Sequence, residues 1–247
     1  MFQKAPPSRI ASIAVALCAS QRCGASAASA LHHATVPSPR VLADFERDGH
    51  AVTRGLLSPA EFAAAAGPLR HMAEAGRRRA QRVQGMSPPF TRIANPHSAH
   101  PAVKRLALAP AILATAAAFL GAAGVKLYQD ALFFKSHGHN ATAWHADLWT
   151  APLATSRFVS LWLPLGKVDV DGAPLFFQTG SHLKPVVTIQ CVGGDDMLGP
   201  GAAGNHHAPL EEGDATWHHG WTIHGSPALG VGAPNRLAYT AAYYTDM

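Results

Sequence analysis

The chain has 247 residues, of which 48% are hydrophobic and 14% charged, so it is long enough to bury one sizeable core. Its 22 glycines and 19 prolines supply many turns, which fits a loop-rich β protein better than a helical bundle. The formal net charge is +5, but four basic residues lie before Asp44, in a stretch without acidic residues, and the rest carries 16 basic and 15 acidic side chains. A nearly neutral body argues against a nucleic-acid-binding protein.

Residues 1–43 have the composition of a targeting segment, rich in Ala, Ser and Arg. The apolar run Ile10–Ala19 is too short to span a bilayer, and we expect no membrane span. Basic residues before that run and Ala25-Ser26-Ala27 after it fit a secretory signal, while the Arg content fits a mitochondrial or plastid transit peptide equally well. A disordered tail on a cytoplasmic protein is the third alternative. We expect one folded domain over residues 44–247.

Two helical segments are predicted in the first half of this domain. Ser58-Pro59-Ala60-Glu61 is a capping box, so a helix should begin there and run to about Arg79, with a kink or break at Gly67-Pro68. The second segment should run from about Pro101 to Leu120, with a break at Pro110.

From Val125 onward, short β-branched or aromatic runs alternate with turn residues. This pattern predicts a sandwich or barrel of many short strands. The predicted strands are 126–135, 158–164, 174–178, 186–191, 215–217 and 236–244.

A candidate metal site begins at Trp144-His145-Ala146-Asp147. Residues two apart on a strand point to the same face, so His145 and Asp147 can direct an imidazole and a carboxylate into one interior. His224 lies 77 residues after Asp147 and is the candidate third ligand. Two histidines and one carboxylate on one face of Fe(II) leave three positions open, which a chelating oxo-acid and O₂ can fill.

An anchor for the second carboxylate of such an oxo-acid is expected at Arg236, on the last strand. Its planar guanidinium suits two parallel hydrogen bonds to a carboxylate, which a lysine would hold less specifically. Ser226 follows His224 by two positions, so it should face the same interior and donate to the same carboxylate.

The chain resembles the phytanoyl-CoA dioxygenase family of Fe(II)- and 2-oxoglutarate-dependent oxygenases from about Asp44 to its end. The motifs that carry the resemblance are Leu132-Phe133-Phe134-Lys135, Trp144–Asp147, Asp171-Gly172-Ala173-Pro174-Leu175, Thr179-Gly180-Ser181-His182, Gly213-Asp214 and His224-Gly225-Ser226. The resemblance implies a mainly β fold with flanking helices, a cupin-like double-stranded β-helix or jelly roll. It also implies that Lys135 and Trp162 line the 2-oxoglutarate pocket and that Gln129 lies near the substrate.

The implied activity is a dioxygenase that consumes 2-oxoglutarate and O₂ at Fe(II), releases succinate and CO₂, and hydroxylates a small organic substrate. The same centre could instead desaturate, cyclise or epimerise its substrate. A catalytically silent jelly-roll binding protein is the alternative from another class. The sequence does not identify the substrate or the oligomeric state.

Overall fold

The computed structural model describes residues 36–84, 90–185 and 204–246. Most of the expected targeting segment and the strand expected at 186–191 lie outside the described residues. The targeting segment and its destination therefore remain predictions.

Four helices precede or flank the β structure: α1 (Pro39–Asp48), α2 (Pro59–Gln84), α3 (Pro101–Ala107) and α4 (Pro110–Phe119). The capping box at α2 is confirmed, because the Ser58 backbone N–H donates to Glu61 at 2.9 Å and the Glu61 N–H donates to the Ser58 hydroxyl at 3.3 Å. The break before Pro110 is also confirmed. Pro68, in contrast, lies within α2 and does not split it.

The first helix, α1, begins at Pro39, five residues before the expected domain boundary at Asp44. Ser38 caps this helix by accepting a hydrogen bond from the Val41 N–H, and Pro39 takes a first-turn position where its missing N–H costs nothing. Phe45 on α1 is buried and stacks on Phe119 at 4.2 Å between ring centroids. The expected domain boundary at Asp44 remains a prediction.

Nine strands are found among the described residues. They are β1 (His50–Thr53), β2 (Phe90–Ala94), β3 (Lys126–Lys135), β4 (Thr142–His145), β5 (Phe158–Pro164), β6 (Phe176–Phe177), β7 (Ala215–His219), β8 (His224–Ser226) and β9 (Arg236–Tyr244). The bounds of β3, β5 and β9 agree with the prediction.

The strands form two antiparallel sheets, a large one in the order β1-β7-β5-β9-β3-β2 and a small one in the order β4-β8-β6. Neighbours in the sheets are mostly distant in sequence, as in the predicted jelly roll. One face of the large sheet is the core: Val159, Leu161, Trp217 and Tyr239 are buried there in one cluster with residues of all four helices. Burying each such side chain contributes about 1.5–3 kcal/mol.

The other face of the large sheet carries the alternate residues, because successive side chains on a strand point in opposite directions. Ser160 lies opposite His218 on β7 and opposite Ala242 on β9, and Trp162 lies opposite Thr240. This face lines the cavity that contains the candidate site.

Within the described residues, one stretch, Pro101–Phe119, is long and apolar enough to cross a membrane by length and composition alone. Half of its most apolar window is buried inside the protein. It contributes Val103 and Ile112 to the core, as expected of helices that cover a sheet.

Candidate metal centre

The structure brings the side chains of His145, Asp147 and His224 together. Their nearest ligand atoms lie within 4.8 Å of one another. The Nε2 atoms of His145 and His224 are 3.9 Å and 3.8 Å from Asp147 Oδ1. His145 ends β4 and pairs with His224 on β8, while Asp147 begins a 3₁₀ turn after the extended residue Ala146. One extended residue between them is enough to place His145 and Asp147 on the same side, although only His145 belongs to the strand.

Both imidazoles are oriented by backbone carbonyls. The Nδ1 atom of His145 lies 2.8 Å from the carbonyl oxygen of Ala143, and Nδ1 of His224 lies 3.0 Å from that of Thr222. A carbonyl only accepts, so each Nδ1 carries the proton and each Nε2 presents a lone pair. This is the arrangement that histidine ligands of metals adopt.

The orientation of Asp147 is fixed by hydrogen bonds to Oδ2, the carboxylate oxygen that does not face the two imidazoles. Oδ2 accepts hydrogen bonds from the Ser160 hydroxyl and from His218 Nε2, the latter at 3.0 Å, while Oδ1 faces the two imidazoles. Burial raises the pKa of this carboxyl, but His224 and the His218 hydrogen bond outweigh burial, so the pKa lies well below its usual range. Asp147 is therefore ionised at neutral pH, as a metal ligand must be.

These residues fit a divalent metal ion. Ligand atoms at adjacent corners of an octahedron, each about 2.1 Å from the metal, are about 3 Å apart, so the observed separations need only a small contraction. Burial holds the pKa of His224 well below its usual range, so that imidazole is neutral and can coordinate. The His145 side chain is 40% exposed and that of His224 only 5%, so the centre opens to solvent on the His145 side.

Next to this group lies a buried cationic pocket formed by Arg236 and Lys135. The two residues are opposite each other on β9 and β3, and both are buried. Among the described residues, neither forms an ion pair with a carboxylate. Burying the Arg236 guanidinium beside a protonated Lys135 without a counter-ion is costly, so this pocket favours an anionic ligand.

The guanidinium of Arg236 is well placed for that ligand. One of its terminal nitrogens donates to the Ala173 carbonyl oxygen and to the Ser226 hydroxyl, the latter at 2.9 Å. Its Nε is buried and has no hydrogen-bond partner among the described residues. The guanidinium also lies over the Trp162 ring, at 5.4 Å from the centroid. Burial lowers the pKa of Arg236 to about 10, so it remains charged at neutral pH.

The ammonium of Lys135 contacts Ser226, and Lys135 is not among the residues that line the cavity. Its Nζ donates to the Pro227 carbonyl oxygen at 2.8 Å and to the Ser226 hydroxyl at 3.2 Å. Burial, and then the charge of Arg236, lower the pKa of Lys135 to about 7. Its ammonium is therefore only partly populated at neutral pH.

This pKa predicts a pH dependence for 2-oxoglutarate binding. A bound carboxylate favours the protonated lysine, so affinity should be highest below pH 7 and fall by about tenfold as Lys135 loses its proton between pH 7 and 9. Calorimetric titration of the metal-loaded protein with 2-oxoglutarate at each pH measures this. Lys135→Met should abolish the dependence; an equally steep decline in that variant would assign it to another group.

The cavity between the sheets has a volume of about 150 Å³ and joins the metal-site residues to the cationic pocket. Its wall includes the expected residues Trp162, Ser226 and Gln129. The register of β3 against β9 shifts just before Gln129, and such irregularities redirect side chains beside active sites. The cavity is also lined by Arg92, Ser160 and Thr240, to which the sequence assigns no role, and by His218, which is expected only to pack or hydrogen-bond beside the site.

Comparison with known proteins identifies a matching family and several similar solved structures. The family model described as phytanoyl-CoA dioxygenase matches residues 45–229. No curated protein sequence is significantly similar. A solved structure of the epimerase SnoN in complex with Fe³⁺, α-ketoglutarate and nogalamycin RO is similar, with 25% identity, a TM-score of 0.63, and 83% of this chain and 82% of that chain covered.

Two further solved structures show the same fold. One is the α-ketoglutarate-dependent carbocyclase SnoK from nogalamycin biosynthesis, at 21% identity and a TM-score of 0.66, with 85% of each chain covered. The other is EctD from S. alaskensis with bound Fe, at 21% identity and a TM-score of 0.64, with 85% of this chain and 77% of that chain covered.

Proposed function

The chain belongs to the phytanoyl-CoA dioxygenase family of Fe(II)- and 2-oxoglutarate-dependent oxygenases, and from this premise we propose a role for each residue of the cavity. His145, Asp147 and His224 hold Fe(II). Arg236 and Ser226 bind the distal carboxylate of 2-oxoglutarate, with Lys135 and Trp162 supporting them, and Gln129 contacts a small organic substrate.

The observation that carries this proposal is the convergence of two Nε2 lone pairs and one carboxylate oxygen at the mouth of a cavity with a cationic end. Three ligand atoms this close together can occupy one face of an octahedron around a metal ion. That arrangement would leave the opposite face for the chelating 2-oxoglutarate and O₂.

The spacing along β8 matches the length of 2-oxoglutarate. Ser226 is two residues beyond His224 on this strand, a rise of about 7 Å. The carboxyl carbons of 2-oxoglutarate are separated by four C–C bonds, a span of about 5 Å. A molecule bound to metal beside His224 would therefore direct its other carboxylate toward Ser226 and Arg236, whose hydroxyl and guanidinium are hydrogen-bonded at 2.9 Å.

Fe(II) held by these residues would supply the redox chemistry that couples the oxidation of 2-oxoglutarate by O₂ to the breaking of a substrate C–H bond, with succinate and CO₂ as products. The protein supplies binding and orientation. Arg236 fixes one end of the cosubstrate, the backbone carbonyls fix both imidazoles, and the apolar wall formed by Phe133, Leu175 and Ala242 limits water near the reacting atoms.

Hydroxylation is the outcome we favour for a small substrate. Asp147 occupies the carboxylate position of the ligand set, and related halogenases have a small residue there that leaves room for chloride. The similarity to an epimerase and a carbocyclase supports epimerisation or ring formation as the second candidate. The ligands do not distinguish these outcomes, because all of them begin with breaking a C–H bond.

Succinate release tests the proposal. The full-length protein with Fe(II), ascorbate, O₂ and 2-oxoglutarate should release succinate slowly alone and faster with a substrate from a metabolite panel. Mass spectrometry then distinguishes a gain of one oxygen from epimerisation or loss of two hydrogens. No succinate from protein that binds metal would favour the silent binding protein.

A further inference from the structure

The orientation of Asp147 depends on two side chains that hydrogen-bond to it and do not belong to the candidate ligand group. Ser160 on β5 and His218 on β7 are opposite each other in the large sheet and project from the same face. Both donate to Oδ2 of Asp147, His218 at 3.0 Å. The carboxylate is therefore held by two central strands.

Within the described part of the chain, the hydrogen bond to Asp147 is the only one found for the His218 side chain. The residue is 3% exposed, and its ring lies 4.1 Å from that of His224 and 5.6 Å from that of Phe177. Its Nδ1 is buried without a hydrogen-bond partner among the described residues. Because the carboxylate of Asp147 only accepts, the proton of this contact lies on His218 Nε2.

The two hydrogen bonds determine which oxygen of Asp147 can coordinate. Turning Oδ2 toward the metal would break both of them, so only Oδ1 remains available. A carboxylate that binds through one oxygen leaves three of six positions open, whereas one that binds through both leaves two. Chelating 2-oxoglutarate needs two positions and O₂ needs the third.

We propose that His218 is a positioning residue that, together with Ser160, keeps Asp147 a ligand through one oxygen and so preserves the third open coordination position. This inference rests on the proposed function, because it takes Asp147 as a metal ligand. His218 acts through Asp147: its Nε2 donates to Oδ2, and it does not belong to the group of candidate metal ligands.

The test compares His218→Phe, His218→Gln, Ser160→Ala and the double variant His218→Phe/Ser160→Ala in the full-length protein. Anaerobic titration with Co(II) gives the dissociation constant, and the visible absorption of bound Co(II) reports its coordination with and without 2-oxoglutarate. His50→Phe is the matched control, since His50 is a buried histidine opposite His218 on β1 that hydrogen-bonds to His207 and Thr179 instead.

We expect His218→Phe to weaken Co(II) binding by about 10- to 100-fold and to change the spectrum of the 2-oxoglutarate complex. His218→Gln should recover part of the affinity, because its side-chain amide can still donate to Oδ2. The double variant should lose less affinity than the two single effects combined, since both act on one oxygen. His50→Phe should keep wild-type affinity even if its melting temperature falls.

Wild-type affinity and an unchanged spectrum in His218→Phe would overturn the inference. If His218→Phe fails to fold, wild-type affinity and an unchanged spectrum in both single variants, His218→Gln and Ser160→Ala, would overturn the inference. His145→Ala separates this failure from failure of the proposed function: loss of Co(II) in His145→Ala with retention in the His218 variants contradicts only the positioning role. Retention in His145→Ala as well contradicts the ligand set itself.

Discussion

Asp147→Ala is expected to weaken Fe(II) binding by about two to three orders of magnitude and to stop succinate release. Metal sites with four protein ligands bind with about 10–16 kcal/mol, so one ligand is worth roughly 3–4 kcal/mol. The loss should be large here because Asp147 supplies the only negative charge among the three proposed ligands. Anaerobic Fe(II) titration of the purified variant measures the effect.

A suitable control is Asp169→Ala. Asp169 is an exposed aspartate whose carboxylate lies 3.3 Å from Lys167 Nζ, and it does not belong to the metal group. Its replacement should leave iron affinity unchanged. Full iron occupancy in Asp147→Ala under conditions that saturate the wild type would mean that other residues hold the metal.

Arg236→Lys is expected to raise the KM for 2-oxoglutarate by about 10- to 100-fold with little change in Fe(II) affinity. A lysine keeps the charge but cannot make two parallel hydrogen bonds to a carboxylate, and losing one charge-assisted hydrogen bond costs about 1.5–3 kcal/mol. The position is also buried, so the shorter side chain leaves the carboxylate without its planar partner. Succinate formation at increasing 2-oxoglutarate concentrations gives the KM.

The matched control is Arg157→Lys. Arg157 is an arginine of the same chain that donates to the Leu120 carbonyl oxygen at 2.7 Å, outside the cavity. That variant should keep the wild-type KM. An unchanged KM in Arg236→Lys would mean that another residue anchors the distal carboxylate.

The sequence predicts that His145 and Asp147 face the same side, and that His224 and Ser226 do so too. Both predictions depend on the alternation of side chains along an extended chain, which is a local property. One extended residue separates the members of each pair, and the structure places all four side chains at one cavity. Arg236 could be predicted for a similar reason. The sequence pattern indicates the last strand, β9, and the side chain of its first residue is buried.

Ser160 and His218 could not be assigned in the same way. Both side chains reach Asp147 because the register of β5 against β7 places Ser160 opposite His218. This register depends on contacts between residues far apart in sequence. His218 was one of two adjacent histidines, and only the direction of the strand distinguishes it from His219. The sequence pattern also does not predict the edge strand β2. The position of Arg92 on that strand follows from its pairing with Phe133 on β3.

The direction of the Lys135 side chain could not be predicted from its motif, and its role in the 2-oxoglutarate pocket remains a prediction. Its motif predicts a position in the 2-oxoglutarate pocket, and the structure places its Nζ against Ser226 and Pro227, behind the residues that line the cavity. The direction of a long side chain depends on what it packs against, which the motif alone does not contain.

A crystal structure of the protein grown anaerobically with Fe(II) and 2-oxoglutarate tests the ligand assignment most directly. We predict one iron per chain, about 2.1 Å from Nε2 of His145, Nε2 of His224 and Oδ1 of Asp147, with the distal carboxylate against Arg236. Iron bound elsewhere, or bound without the imidazole of His224, would contradict the account.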